Sequence, residues 1–341
     1  MKKRKQNNES YIEDYLPNLK LINEIEDYSY TNEDLNNTFI IVKSLNNLLY
    51  LIYSTNNKSI ICYNLNTNQT VNEIHNHHKK PITNFKHYSD IKNNKDLIMS
   101  ISSKDNNIRI WSLNNWKCLH NLKVKYFGNI YTTNFINDNN EIYLITNINR
   151  DDDLNSIKVL DFNGNIIKNI NGTTEIVCFI DVYYDQLFKK NYILFGKLGF
   201  CESYDYIKNK IYHRYLDKNG DHYAAHCSMV INESEKIINL IESSRDGNIR
   251  IWDFHTGISL SKIFLGKIWL NGICLWNEKY LFVGCDDHTI KLVDLKNKIV
   301  VNTLNGHKNS VLTIKRIFIP LYGDCIISQE KGNSQIKLWG K

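Results

Sequence analysis

The sequence predicts an all-β fold: a seven-bladed β-propeller of four-stranded antiparallel blades, closed into a ring by an N-terminal strand. Three observations lead there. A short apolar segment recurs seven times. An almost continuously apolar run precedes each copy. The three prolines, Pro17, Pro81 and Pro320, fall outside all of these stretches.

The copies begin with Ile60-Ile61-Cys62-Tyr63-Asn64, Ile108-Arg109-Ile110-Trp111-Ser112 and Ile157-Lys158-Val159-Leu160-Asp161. They continue with Cys201-Glu202-Ser203-Tyr204-Asp205, Ile249-Arg250-Ile251-Trp252-Asp253, Ile290-Lys291-Leu292-Val293-Asp294 and Ile336-Lys337-Leu338-Trp339-Gly340. The large fourth residues are separated by 48, 49, 44, 48, 41 and 46 positions, the mark of a supersecondary unit repeated along the chain. Alternation within a copy is the period-2 pattern of a half-buried strand. The preceding runs, 49–53, 97–101, 142–146, 192–195, 237–241, 280–283 and 325–328, suit strands covered on both faces. An interior proline would remove a ladder donor, so its absence from these runs fits the same picture.

In Ser243-Ser244-Arg245-Asp246-Gly247-Asn248-Ile249-Arg250-Ile251-Trp252-Asp253, and in Gly306-His307 followed by Val311, the chain resembles the WD40-repeat family. The intervals bracket that family's period of roughly 40–45 residues. The resemblance covers residues 36–341 and is closest in units two, five and seven. It implies that each fourth residue ends the third strand of a blade. The chain stops two residues after Trp339, so the last blade needs its outer strand from elsewhere, and residues 19–25 are the candidate. A bare edge would expose a row of backbone donors and acceptors. The expected organisation is an N-terminal extension, 1–35, and a propeller, 36–341, with the first unit starting near Thr38.

The resemblance also implies a structural reading of the repeated polar residues. His78, Asp105 and Trp111 recur at the family's spacing, as do His222, Asp246 and Trp252. A histidine beside an aspartate suggests acid–base chemistry in isolation. In this family such residues form a buried hydrogen-bonded tie between two turns. Asp287 stands in unit six with Val293 in place of Trp, and His307 and Trp339 stand in unit seven with Asn333 at the aspartate position. Glu242 stands in unit five where many repeats carry a hydroxyl, and with these departures only two networks, those of units two and five, are expected to be near completion.

His75, His77 and His78 cluster, but no cysteine or carboxylate cluster joins them in sequence and His78 already has a repeat role, so no metal site is expected. Tyr15-Leu16-Pro17-Asn18-Leu19 has a slight likeness to an F-box opening, with too little chain before unit one to complete it. Phosphate-loop, nucleophile-elbow and zinc-helix motifs are absent, so neither catalysis nor a cofactor is expected.

That leaves the surface. Lys104 and Arg245 precede repeat aspartates, while Lys79, Lys80 and Lys308 follow repeat histidines. Lys267 and Trp269 fall where unit six begins, and Tyr126 and Phe127 where unit three begins. The register places all of these on one end of the ring, as a basic rim with aromatic anchors. Asp151-Asp152-Asp153 and Asp286 oppose it in one sector. Such a rim suits acidic or phosphorylated peptide segments. The expected function is a non-catalytic scaffold or adaptor, a monomer by itself within a larger complex. The alternative is an RNA-associated subunit.

Net charge is +6, with 42% hydrophobic and 23% charged residues, too mild a balance for a dedicated nucleic-acid binder. No run approaches 18 apolar residues, so no membrane span is expected. Met1-Lys2-Lys3-Arg4-Lys5 lacks a following apolar segment and reads as a solvated tail or a nuclear-import patch. Eight scattered cysteines, several in apolar runs, read as reduced buried thiols and place the protein in the cytoplasm or nucleus.

Overall fold

The computed structural model describes residues 19–25, 39–55, 59–75, 77–102, 105–123, 130–148, 156–170, 177–216, 226–233, 237–331 and 335–341. Their strands form seven four-stranded antiparallel sheets. Blade one is β2 (Phe39–Lys43), β3 (Leu49–Ser54), β4 (Ile60–Asn64) and β5 (Gln69–Ile74), following β1 (Lys20–Ile25) in the chain. Blade two is β6 (Asn84–Asp90), β7 (Lys95–Ser102), β8 (Asn107–Ser112) and β9 (Cys118–Lys123). Blade three is β10 (Ile130–Asp138), β11 (Glu141–Ile148), β12 (Ser156–Leu160) and β13 (Ile166–Ile170). Blade four is β14 (Val177–Asp185), β15 (Lys190–Lys197), β16 (Cys201–Asp205) and β17 (Lys210–Tyr215). Blade five is β18 (His226–Glu233), β19 (Ile238–Ser244), β20 (Asn248–Asp253) and β21 (Ser259–Phe264). Blade six is β22 (Leu270–Leu275), β23 (Tyr280–Cys285), β24 (Ile290–Asp294) and β25 (Ile299–Leu304). Blade seven is β26 (Val311–Ile319), β27 (Gly323–Glu330) and β28 (Ile336–Gly340), with β1 as its outer strand.

Every copy of the repeat is a third strand, and every apolar run before it falls on a second strand. The second strands are buried on both faces, β23 at every position, whereas outer strands such as β5 are exposed. Seven hydrophobic clusters result, and each lies between two neighbouring blades. The last of them packs Phe39 and Leu51 of blade one against Ile317, Cys325 and Ile336 of blade seven, which closes the ring.

The closing strand copies the geometry of the outer strands it replaces. In blades one to six the third and fourth strands slip register beside the large fourth residue, as at Ile110/Trp111 and Ile251/Trp252. In blade seven Trp339 pairs with Leu21 and Leu338 with Asn23, so Ile22 is the bulged residue. A side chain at position 340 would collide with this device: a Cβ there would lie 2.5 Å from Ile22 Cδ1. Gly340, where other copies carry a side chain, thus lets the Ile22 side chain pack close against the backbone of β28. Lys337 Nζ is hydrogen-bonded to Glu24, and Leu19 is buried among Trp276, Tyr280 and Trp339.

No α-helix occurs among the described residues, and no helix there is long and apolar enough to cross a membrane.

Candidate functional site

The turn preceding a first strand and the turn between second and third strands lie at the same end of the ring. In blade two, His78 and Asp105 come from those two turns and meet at 3.3 Å, Nδ1 to Oδ2. His78 Nε2 is 2.8 Å from Ser100 Oγ, which also accepts the Trp111 indole N–H at 2.9 Å. An indole can only donate and a carboxylate can only accept, so the chain runs in one direction, from Trp111 through Ser100 and His78 to Asp105. Asp105 also accepts the backbone N–H of Lys79 and of Asn107. Burial pushes its carboxyl up, but the His78 contact and these amides outweigh that and hold it below the ordinary value. A His–Asp–Ser arrangement looks like a hydrolytic triad, yet Ser100 is fully buried and its oxygen is committed to Trp111 and His78.

Blade seven holds the same tie, which the sequence did not reveal. Asn333 lies outside the described residues, and the acid is Glu330, at the end of β27. Its Oε2 takes His307 Nδ1 at 3.0 Å, Lys308 N at 2.7 Å and Asn309 N at 3.3 Å. His307 Nε2 reaches Ser328 Oγ at 2.7 Å, and Trp339 Nε1 donates to the same oxygen at 2.7 Å. Burial raises the Glu330 carboxyl, but His307 and the two amides prevail and bring it down to about 2.

Blade five is wired differently. His222 lies outside the described residues. Asp246 binds the guanidinium of Arg250, a side chain only 2% exposed, and accepts Asn248 N at 3.0 Å. Desolvation opposes ionisation of Asp246, but Arg250 dominates and its carboxyl sits at about 2. Trp252 donates to Glu242 at 3.2 Å, and Glu242 also receives the Cys201 thiol of blade four. In blade six Asp287 bonds to Lys291 Nζ at 2.7 Å and to Thr289.

Around these ties lies the rim. Lys79, Lys80, Arg245, Lys267 and Lys308 are exposed. Trp269 is 50% exposed, so it is a surface side chain and not core. The Arg245 guanidinium lies over its ring, 4.8 Å from the centroid. Gly247 makes that meeting possible. It adopts φ +81°, and a Cβ there would come within 1.9 Å of Gly266 O, so the blade-five turn presses directly on the loop that carries Trp269. Leu265 N donates to Gly247 O at 3.0 Å across this contact. Arg245 and Trp269 are therefore together, whereas Lys79, Lys80 and Lys308 stand beside the ties of blades two and seven. Asp286 is turned to Ser310, whose hydroxyl donates to it. Lys104, Tyr126, Phe127 and residues 151–153 lie outside the described residues.

No family model matches the chain. A stretch of 70 residues, 20% of the chain, is 31% identical to the U3 small nucleolar RNA-associated protein 21 homolog of Schizosaccharomyces pombe. That stretch is 8% of the relative's length, so the chain matches a small part of a much larger protein.

The histidine cluster disperses in three dimensions. His75 bonds to Ser59, His77 packs edge-on against Trp111 at 4.8 Å, and His78 belongs to the blade-two tie. Among the described residues no group of three or more potential ligands is placed to hold a metal ion.

Sequence reasoning missed a buried ion cluster within blade four, on the face it turns to blade three. Lys197 and Glu202, both fully buried, are bonded to each other, and Arg214 Nε donates to Glu202 at 2.8 Å. The signal was present: position two of the repeat is basic in five copies, Arg109, Lys158, Arg250, Lys291 and Lys337, and acidic only at Glu202.

Proposed function

We propose that the protein is a non-catalytic WD40-type scaffold that binds acidic or phosphorylated peptide segments of partner proteins on the rim at the tied end. The observation that carries this reading is the exposed Arg245–Trp269 pair, held in place by the Gly247 contact. An arginine on an aromatic face offers a flat apolar surface and a fixed guanidinium fork together, a combination typical of binding hot spots. The histidine–acid pairs of blades two and seven support a non-catalytic role, because in each the histidine and the serine hydroxyl are committed within the tie. The repeat register adds Lys104 and Phe127, which lie outside the described residues, to the residues proposed for this rim. The protein works as a monomer inside a larger complex, in the cytoplasm or nucleus.

The test is affinity purification of the tagged wild type and of an Arg245→Glu, Trp269→Ala variant, with partners identified by mass spectrometry. Loss of the same partners from a variant that melts normally supports the rim. Equal recovery by both proteins removes it.

A second reading is favoured by the similarity to a nucleolar RNA-associated protein: a subunit of an RNA-processing complex in the nucleus. RNA binding through the rim would weaken steeply with salt, in proportion to the phosphates contacted. Partners that remain after ribonuclease treatment argue for the peptide-binding reading.

A further inference from the structure

The end of the ring opposite the ties carries a different chemistry. A cavity of about 700 Å³ lies along the first strands of blades seven, one and two. It reaches the turns that hold Asn47, Asn66 and Pro320, all at the untied end. This volume is within the range of sites that enclose small molecules or peptide side chains.

Its walls combine two features. Four cations line it, Lys43, Lys86, Lys315 and Arg316, and none of its lining residues is an aspartate or glutamate. Two of the four have partners nearby. Lys86 Nζ is 3.8 Å from Asp181, and Arg316 Nη2 donates to Asp324 at 2.8 Å. Lys43 and Lys315 are exposed and have no carboxylate partner among the described residues. Between the charges the wall is apolar, formed by side chains such as Ile41, Leu49 and Phe318, the last 62% exposed.

We propose that this cavity is a second binding site, distinct from the tied-end rim, for a peptide segment that inserts a large apolar side chain flanked by carboxylates. Charge complementarity selects the carboxylates, because two lysines have no carboxylate partner among the described residues, in a concave site where the field of like charges adds. The apolar wall selects the side chain. A bare polyphosphate would satisfy the lysines and leave Phe318 and its neighbours in water. An RNA strand, which could stack on Phe318, is separated from a peptide by the oligouridylate arm of the experiment.

The experiment pans a random-peptide display library on the full chain and on two variants, Lys43→Glu/Lys315→Glu and Arg245→Glu/Trp269→Ala. The substituted residues are exposed, and a thermal melt of each variant checks folding. The proposal expects enrichment of aspartate or glutamate beside leucine or phenylalanine on the wild type and on the rim variant, and loss of it on the lysine variant. An enriched peptide should bind the lysine variant about tenfold or more weakly by calorimetry. Phe318→Ala should weaken it too, and pyrophosphate or oligouridylate should not displace it. No acidic–apolar enrichment, enrichment that survives in the lysine variant, or displacement by either phosphate probe would overturn the proposal.

Discussion

Glu330 offers the sharpest test of how this ring is held together, because one carboxylate oxygen closes the blade-seven tie. Its Oε2 serves three donors, His307 Nδ1 and the amides of Lys308 and Asn309. The side chain is fully buried. Replacement by glutamine keeps the shape and removes the charge that these donors stabilise. The gap between the ordinary 4.5 and about 2 is worth about 3 kcal/mol of native-state stability. The folded value is the lower one. The contribution is therefore complete above about pH 4.5 and is lost as pH falls toward about 2. Urea unfolding followed by tryptophan fluorescence, on wild type and Glu330→Gln from pH 7 downward, measures the difference directly. We expect about 3 kcal/mol at neutral pH, shrinking once the pH drops below 4.5. A neutral-pH difference below about 0.5 kcal/mol, the size of an ordinary surface substitution, would refute the tie as a source of stability. So would a difference that ignores pH.

Four further outcomes are expected. Trp252, 1% exposed between blades four and five, should cost about 3–5 kcal/mol on replacement by alanine, chiefly as a cavity. Asp246→Ala should cost about 3 kcal/mol, since the buried Arg250 loses a carboxylate; unchanged melts for both would remove the structural assignment. Deleting residues 1–30 removes β1, bares the β28 edge and takes Leu19 from its cluster, so the product should aggregate, while deleting 1–8 should be tolerated; a monomeric, normally melting product of the longer deletion would show that closure does not depend on β1. Trp269→Ala should leave the melting temperature within about 2 °C of wild type, as its ring is half in water, and a larger drop would make it a core residue.

Most of the architecture was legible because a propeller writes each blade in the same residues. The third strands announce themselves through Trp111, Trp252 and Trp339, and the weak fourth copy, ending in Tyr204-Asp205, was secured by its spacing from neighbours that match better. The closing strand followed from the family resemblance, since similar propellers fill an open last edge with an N-terminal strand. Its bulge at Ile22 and the close packing of Ile22 on Gly340 were not legible, since both depend on a contact between residues more than three hundred positions apart in the chain. The acid of blade seven was missed for a related reason. Spacing points to Asn333, whereas the longer glutamate side chain lets Glu330 reach His307 from an earlier position on β27.

The two ends of the ring differ in what sequence can disclose about them. At the tied end blades two and seven share the same histidine–acid brace, and the rim cations are found by their adjacency to those repeated residues. At the other end nothing repeats. Lys43 and Lys315 stand at the fifth position of their strands and Lys86 at the third, and neighbouring inner strands have no equivalent lysine to make the set stand out. They meet only because blade seven closes on blade one, which brings residues near 43 and near 315 to one cavity wall. Repetition in a propeller therefore reports what holds the blades, and the residues that depart from it are where specificity is built. Glu202 is the clearest case: its reversed charge is met inside blade four by Lys197 and Arg214, on the face toward blade three, which makes that blade unlike the rest.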